Sequence, residues 1–515
     1  MARLPPAGPA ADLTAKILGW SAAAGITTSI LIIIAAPAVR NSWSRPRIGL
    51  PSTGPPWEFA VRLPMPLTTV TLALWAAAII GAAGVAAGLA AVARGARPPI
   101  RAVTAGAIVA TAALTVLPPA GSTDAIDYAV YGRIVLLGRS PYVMTPQQLR
   151  LTGDPIGLAA PHQWRNHVSV YGPAATAQQW AAAELGGSSA ARIVFWLKLC
   201  DGLAFVAVLL ALDRLLRSDP ARRARAHLLW SVNPLLLWGL MAAGHIDVLA
   251  AAAGFLGLIV LGEQSRTGAP SWPRALAAGL LAGTATDLKI TYILFGAGIA
   301  WVARRSRAAL CAAAGGALAV VVPSYLGFGL PAVRALLARS DKATIESFYR
   351  LLRVPIKPGT VLLAVAGLAF IVVAALILRH FPDGFPRRPA IKIALALSIA
   401  WLFVWPYQLP WYDTMAICLL AVYPASRLDW LVLLRLAAGT LAVMPGTGRL
   451  REMVVLLGTA KAIHLIVTPA LMLAALAGLV WLCLSRAWNS SSSSAVAAAG
   501  PAQQAAGLAQ TYRGR

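Results

Sequence analysis

The chain alternates long apolar runs with short charged connections. The apolar runs fall at 17–38, 68–93, 99–119, 190–212, 228–243, 246–262, 273–286, 288–303, 308–326, 359–379, 392–406, 412–425, 428–445 and 462–485. A perpendicular bilayer crossing takes about 20 apolar residues. Some runs reach that length and others stop short, so full spans are expected beside broken or merged helices. The pattern predicts an all-α polytopic membrane protein of roughly 12–14 transmembrane helices.

The basic residues orient this bundle. Arg94, Arg97 and Arg101 lie between the second and third runs, and Arg214, Arg217, Arg222, Arg223 and Arg225 follow the fourth. Arg266 and Arg274 follow the sixth, and Arg304, Arg305 and Arg307 the eighth. Arg387, Arg388 and Lys392 precede the eleventh, Arg427 follows the twelfth and Arg486 the fourteenth. Two connections oppose the trend, one with Arg40, Arg45, Arg47 and Arg62, the other with Arg449, Arg451 and Lys461. The majority predicts cytoplasmic termini and a multi-pass plasma-membrane protein by the positive-inside rule. The 120–189 segment, the turns at Gly244–Asp247 and Asp287–Lys289, the 327–358 loop and the Pro406–Tyr412 turn are then expected outside.

Composition supports the membrane class: 58% of the 515 residues are hydrophobic and 12% charged, and the mean hydropathy is +0.71. The net charge of +26 does not indicate a nucleic-acid partner, because the cations sit in short connections between apolar runs. They follow the positive-inside pattern, supplemented by attraction to anionic lipid. Cys200, Cys311, Cys418 and Cys483 lie in or beside apolar runs and are expected to pack as small buried hydrophobes without a disulfide framework. The first run reads as a retained signal-anchor helix. Residues 1–486 are expected to form one transmembrane domain, and the Ser/Ala/Gln-rich 487–515 a disordered cytoplasmic tail.

Candidate chemistry concentrates in the longest polar-rich stretch, 120–189. Asp124 and Asp127 are three residues apart and share a face if helical, with Tyr128 and Tyr131 near the same surface. Glycosyl transfer to a hydroxyl needs one carboxylate as general base. A departing phosphate needs cationic or hydrogen-bonding partners, and Arg133, Arg139, Arg165, Lys289 and His245 are available. A structural alternative makes Asp124 a helix cap and pairs Asp127 with Arg133. Trp164, near Asn166 and His167, stacks on a sugar or sits at the lipid headgroups. Tyr171–Gly172–Pro173 predicts a helix start.

Further along, His245 is placed to orient a hydroxyl or phosphate with Asp247 holding its tautomer; alternatively Asp247 caps the next helix. Lys289 either holds a phosphate or pairs locally with Asp287. Trp411, in the aromatic-proline turn 405–413, lines a sugar or prenyl groove or anchors at the interface. The 327–358 segment, with Arg334, Arg339, Lys342, Glu346, Arg350, Arg353 and Lys357, is expected to include an amphipathic surface helix. No GxxxxGK[ST] nucleotide loop occurs, no inverted repeat favours a transporter, and no metal-ligand set is assigned.

Asp124 with Tyr128, Gly132–Arg133, Gly138 and Pro141–Tyr142, then Tyr171–Gly172–Pro173, Asn233–Pro234 and Gly244–His245–Ile246–Asp247, resembles the actinobacterial polyprenol-phosphate-mannose-dependent alpha-1,6-mannosyltransferases over about residues 100–415. The resemblance implies the GT-C fold and an inverting transfer of mannose. The implied donor is a beta-linked polyprenyl monophosphate mannose, and the implied acceptor a lipid-anchored mannan such as the lipomannan backbone. It implies no organic cofactor and leaves a divalent-cation requirement open. It places the catalytic carboxylate, acting as the base, on Asp124 in preference to Asp127. Tyr128, Arg133, Tyr142, Trp164, Asn166, Tyr171, His245, Asp247, Lys289 and Trp411 become the expected substrate-binding set. The chain departs from the family pattern at Ile246, where relatives usually carry Asn, so transfer of another polyprenyl-linked sugar such as arabinofuranose stays open.

Overall fold

A computed structural model describes residues 9–38, 65–262, 268–337, 343–344, 346–351, 359–382, 388–444 and 456–488. Among them every regular element is helical. The N-terminal half contains α1 (Pro9–Ala35), α2 (Leu67–Ala93), α3 (Ile100–Val116) and α4 (Asp124–Leu136). Short α5 (Pro146–Leu151) and α6 (Pro155–Leu158) follow, then α7 (Pro173–Gly186) and α8 (Ala190–Leu215). Next come α9 (Pro220–Ala226), α10 (Pro234–Leu236) and α11 (Asp247–Val260). The remainder comprises α12 (Trp272–Leu288), α13 (Ile293–Ala303), α14 (Arg307–Phe328) and α15 (Leu330–Leu337). It continues through α16 (Thr360–His380), α17 (Pro389–Val404), α18 (Thr414–Leu420), α19 (Leu428–Val443), α20 (Leu457–Ala462) and α21 (Thr468–Ser485).

Among the described residues, six helices are long and apolar enough to cross a membrane. A seventh crossing arises if the pair Pro220–Ala242 and Asp247–Val260, bent by 116°, is one broken span. Ile100–Val116, Ile290–Ala303 and Pro389–Val404 are shorter apolar helices. The molecule is therefore an all-α multi-pass membrane protein consistent with the GT-C architecture. The apolar run at 412–425 becomes a 3-10 turn, Pro410–Asp413, followed by only seven residues of α18. The runs at 273–286 and 288–303 are separate helices because Lys289 is extended, with φ −153° and ψ 118°. Hydropathy marks which residues avoid water; the backbone breaks that carry polar chemistry decide how many helices are full length.

The sharpest break has a local cause. Asn233 accepts from the Leu235 amide beside Pro234, and wide π-type turns flank it at His227–Ser231 and Leu237–Ala242. Gly244 then adopts φ +73°, a left-handed conformation that suits glycine. A Cβ there would lie 3.1 Å from Ala125 and 3.2 Å from Lys198, so the break is also pressed against α4 and α8. His245 and Asp247 emerge from this break.

Polar groups collect at both ends of α8, which at 1.5 Å per residue is about 39 Å long. At its C-terminal end Asp213 accepts from Arg223 at 2.6 and 2.8 Å and lies 3.0 Å from His227. Arg225 nearby pairs with Asp429 and donates to the carbonyl of Tyr423 at 2.6 Å. The Arg427 amide donates to the Trp488 carbonyl at 3.0 Å. Connections between different spans thus meet at one end of the bundle, and the 120–189 segment caps the other.

The thiols follow the apolar expectation only in part. Cys418 and Cys483 are buried and Cys200 is intermediate, but Cys311 on α14 is exposed on the apolar helix surface. In the 327–358 segment α15 packs its Ala332 and Ala335 beside Tyr142. Arg339, Lys342, Arg353 and Lys357 lie outside the described residues, as does 489–515 of the expected tail.

Candidate functional site

The site begins at the first turn of α4. Ser122 donates to Asp124 Oδ1 at 3.0 Å, and the Asp124 amide donates back to Ser122 Oγ at 3.2 Å. This reciprocal pair sets the carboxylate at the helix start. Its side chain keeps 18% exposure, whereas Asp127, one turn on, is 3% exposed. Asp124 therefore offers its oxygens to the site and Asp127 is enclosed by packing. The α4 helix is not among those that can cross a bilayer. Burial pushes the Asp124 carboxyl up to about 6, against the pull of the Ser122 hydroxyl and the Lys289 ammonium.

Two tyrosines flank it. Tyr128 donates to the Tyr171 hydroxyl at 3.0 Å, their rings edge to face with centroids 5.0 Å apart. Burial holds both phenols well above their ordinary range, so they remain neutral donors. Tyr142 donates to the Tyr171 carbonyl at 2.9 Å and lies 2.8 Å from Thr176 Oγ1. The expected start at Pro173 is present: Gly172 caps α7 and Pro173 is its first residue. Gly172 is needed because a Cβ there would stand 1.8 Å from the Asp287 carbonyl. Asp287 in turn accepts from the Ala174 amide at 3.2 Å. The local Asp287–Lys289 pair considered from sequence does not form; Asp287 anchors the α7 N-terminus, where a carboxylate is favoured.

Lys289 instead reaches across to the α11 start, with Nζ 2.7 and 2.8 Å from the Asp247 oxygens. Its ammonium also stands 3.7 Å from the Tyr412 ring centroid. Asp247 is thus a partner of Lys289 and not of His245, which corrects the expected tautomer role. Tyr292 donates to the Asp247 carbonyl at 2.9 Å and fixes the same corner. His245 is fully enclosed and stacks on Trp411, with centroids 3.8 Å apart and planes 16° from parallel. Its Nδ1 lies 3.5 Å from Asp124 Oδ2, and neither ring nitrogen has a hydrogen-bond partner. Buried polar atoms in this state are costly. The imidazole is thus clamped beside a largely buried carboxylate with its own nitrogens unsatisfied among the described residues.

The other expected residues stand apart from this cluster. Arg133 donates to Asp154 at 2.9 Å, while Asp154 also caps α6 through the Ile156 and Gly157 amides. This replaces the Asp127–Arg133 pairing considered from sequence and gives Arg133 a role in tying the 137–172 loop to α4. Trp164 lies beside His167, with centroids 5.9 Å apart, and Asn166 is exposed. Tyr131 donates to the His167 carbonyl at 3.1 Å and links that loop to α4. Two contributors were absent from the sequence-level set. Ser122, two residues before Asp124, carried a readable signal in that spacing; Tyr412 acquires its role only by meeting Lys289 across the bundle.

No group of three or more His, Cys, Asp or Glu that could hold a metal ion occurs among the described residues. The cluster's chemistry is that of two carboxylates, one of them paired with an ammonium, together with one imidazole and neutral phenols. Those groups suit proton removal from a hydroxyl beside an anionic leaving group.

Residues 22–305, more than half of the chain, match the family model described as alpha-(1->6)-mannopyranosyltransferase, N-terminal domain. No curated protein and no solved structure matches. With Asp124, His245, Asp247 and Lys289 inside the matched region of a helical multi-pass membrane protein, the chain belongs to the alpha-(1->6)-mannopyranosyltransferase family and is a membrane glycosyltransferase.

Proposed function

We propose that the protein transfers mannose from a beta-linked polyprenyl-phosphate-mannose to a hydroxyl of a lipid-anchored mannan, forming alpha-1,6 linkages with inversion. The reading rests on one arrangement: the half-open Asp124 carboxylate lies 3.5 Å from the enclosed His245 ring, in the field of the Lys289 ammonium. Asp124 removes the proton of the acceptor 6-hydroxyl as its oxygen bonds to the anomeric carbon. The bond from that carbon to the phosphate oxygen breaks, and the polyprenyl phosphate leaves with the electron pair. Lys289 and His245 meet the charge on the departing phosphate. A donor whose prenyl chain stays in the bilayer suits a site at the end of apolar helices, and the reaction is assigned to the extracytoplasmic face. Trp411, Tyr128, Tyr142 and Tyr171 shape the sugar pocket, and Arg133 of α4 with the loop of Trp164 and Asn166 faces the acceptor.

A second donor sugar has one observation in its favour. Ile246 occupies the motif position usually held by Asn and is 1% exposed, so that position presents no polar side chain to a sugar. Donor profiling of the purified protein separates mannose from arabinofuranose. The central test compares Asp124→Asn with Asp127→Asn in membranes supplied with polyprenyl-phosphate-mannose and an oligomannoside. The expected result is a loss of about 10²–10⁴-fold in the Asp124 variant and a much smaller change in the other. Wild-type turnover in Asp124→Asn would remove the base assignment.

A further inference from the structure

The cationic half of the site is held from outside the region matched by the family model. Trp411 and Tyr412 both belong to the Pro410–Asp413 turn, and each touches a charged or ionisable group of the cluster. That turn is gripped by one face of α19. Arg435 is 1% exposed and pairs with Asp413, which is fully buried. The same guanidinium donates through Nε to the Leu402 carbonyl at 2.9 Å, near the end of α17. Gly439, four residues on and therefore on the same face, lets the turn approach closely: a Cβ there would lie 3.3 Å from Pro410 Cβ.

An ion pair is an expensive way to join helices inside a membrane protein. Two apolar side chains would fill the space without fixing an orientation. The Arg435 guanidinium instead holds the carboxylate of the turn and the end of α17 at once, which fixes direction as well as distance.

We propose that Arg435 is a positioning residue for the transfer reaction: paired with Asp413 and seated beside Gly439, it holds Trp411 and Tyr412 where they set the His245 ring and the Lys289 ammonium. The inference rests on the reading of the Asp124 cluster as the transfer site. It makes the C-terminal helices part of the reaction, although they touch no substrate themselves.

The test uses the full-length protein in lipid nanodiscs with polyprenyl-phosphate-mannose and an oligomannoside. The variants are Gly439→Val, which keeps both charges but pushes on Pro410, Arg435→Lys, and the paired Arg435→Met with Asp413→Leu, which leaves no charge orphaned if the single variant does not fold. Gly439→Val and the paired variant are expected to lower kcat by about 10- to 100-fold per folded molecule, with KM changed far less. Arg435→Lys should recover part of that loss. Backbone hydrogen exchange over 405–413 should rise in parallel. The acid limb of the pH profile should move upward, because a displaced Lys289 no longer steadies the Asp124 carboxylate. Wild-type kcat and an unmoved acid limb in Gly439→Val and the paired variant, beside a wild-type chain that transfers mannose, would overturn this inference alone. A wild-type chain that transfers no polyprenyl-linked sugar would overturn the functional reading and the inference with it.

Discussion

The two polar ends of the bundle are built from similar residues and do opposite things. At one end Arg225 is wrapped by Asp429 and by carbonyls including that of Tyr423, and Asp213 is bound by both Arg223 and His227. At the other, Asp124 is held by Ser122 and keeps 18% exposure, and His245, 3.5 Å away, is locked by stacking on Trp411 with neither nitrogen hydrogen-bonded among the described residues. The first end resembles a clasp, its charges consumed by helix ends and by each other. The second is rigid in position but incomplete in bonding, which is what preorganisation for a ligand requires. Counting charged residues would not separate them; asking where each donor and acceptor goes does.

The contrast can be broken by experiment. The largest effect beyond the Asp124 variant is expected from Lys289→Met, which removes the ammonium proposed to meet the departing phosphate: kcat should fall by about 10²–10³-fold. Single-turnover kinetics would check this, and a change confined to KM would leave Lys289 a binding group only. Next comes His245→Phe, which preserves the stack on Trp411 but removes both nitrogens. A fall of about 10- to 100-fold in kcat is expected, and equal activity would make the imidazole structural.

The pH dependence sharpens the same comparison. With the Asp124 carboxyl at about 6, its basic form predominates at pH 7. The rate should fall by about tenfold for each unit below 6 as the carboxylate is protonated. A flat kcat profile down to pH 5 would argue against proton removal by Asp124. The smallest effect on catalysis is expected at the clasp. Arg225→Met should leave kcat per folded molecule near wild type while costing about 3–5 kcal/mol of stability, because Asp429 is left buried and unpaired. Thermal unfolding in detergent together with activity per folded protein would reveal it. A selective loss of kcat there would erase the distinction between the two ends.

Much of the helical layout was legible because apolar length is local information. The runs 68–93, 308–326 and 359–379 correspond closely to Leu67–Ala93, Arg307–Phe328 and Thr360–His380. The polar stretch around Asp124 was legible too, since a carboxylate pair followed by Tyr128 and Gly132–Arg133 stands out in an apolar chain. The helix count was less so. Breaks at Gly244, Lys289 and Pro410 separate apolar runs without changing their hydropathy, and hydropathy cannot tell a span from half of one.

What the sequence determined by itself was the solvent each segment prefers, the class of fold, and the residue types at the end that carries Asp124. Partnership was decided only in three dimensions. Lys289 passes over Asp287, two residues away, to join Asp247, and Arg133 takes Asp154 in place of Asp127. His245 lies on Trp411, and Arg435 reaches back to Asp413. Each choice follows from which helix ends are brought together by packing, with Gly132, Gly172 and Gly439 allowing the close approaches. A buried charge takes the oppositely charged or hydrogen-bonding group that geometry presents, because leaving it unpaired costs more than any preference set by distance along the chain.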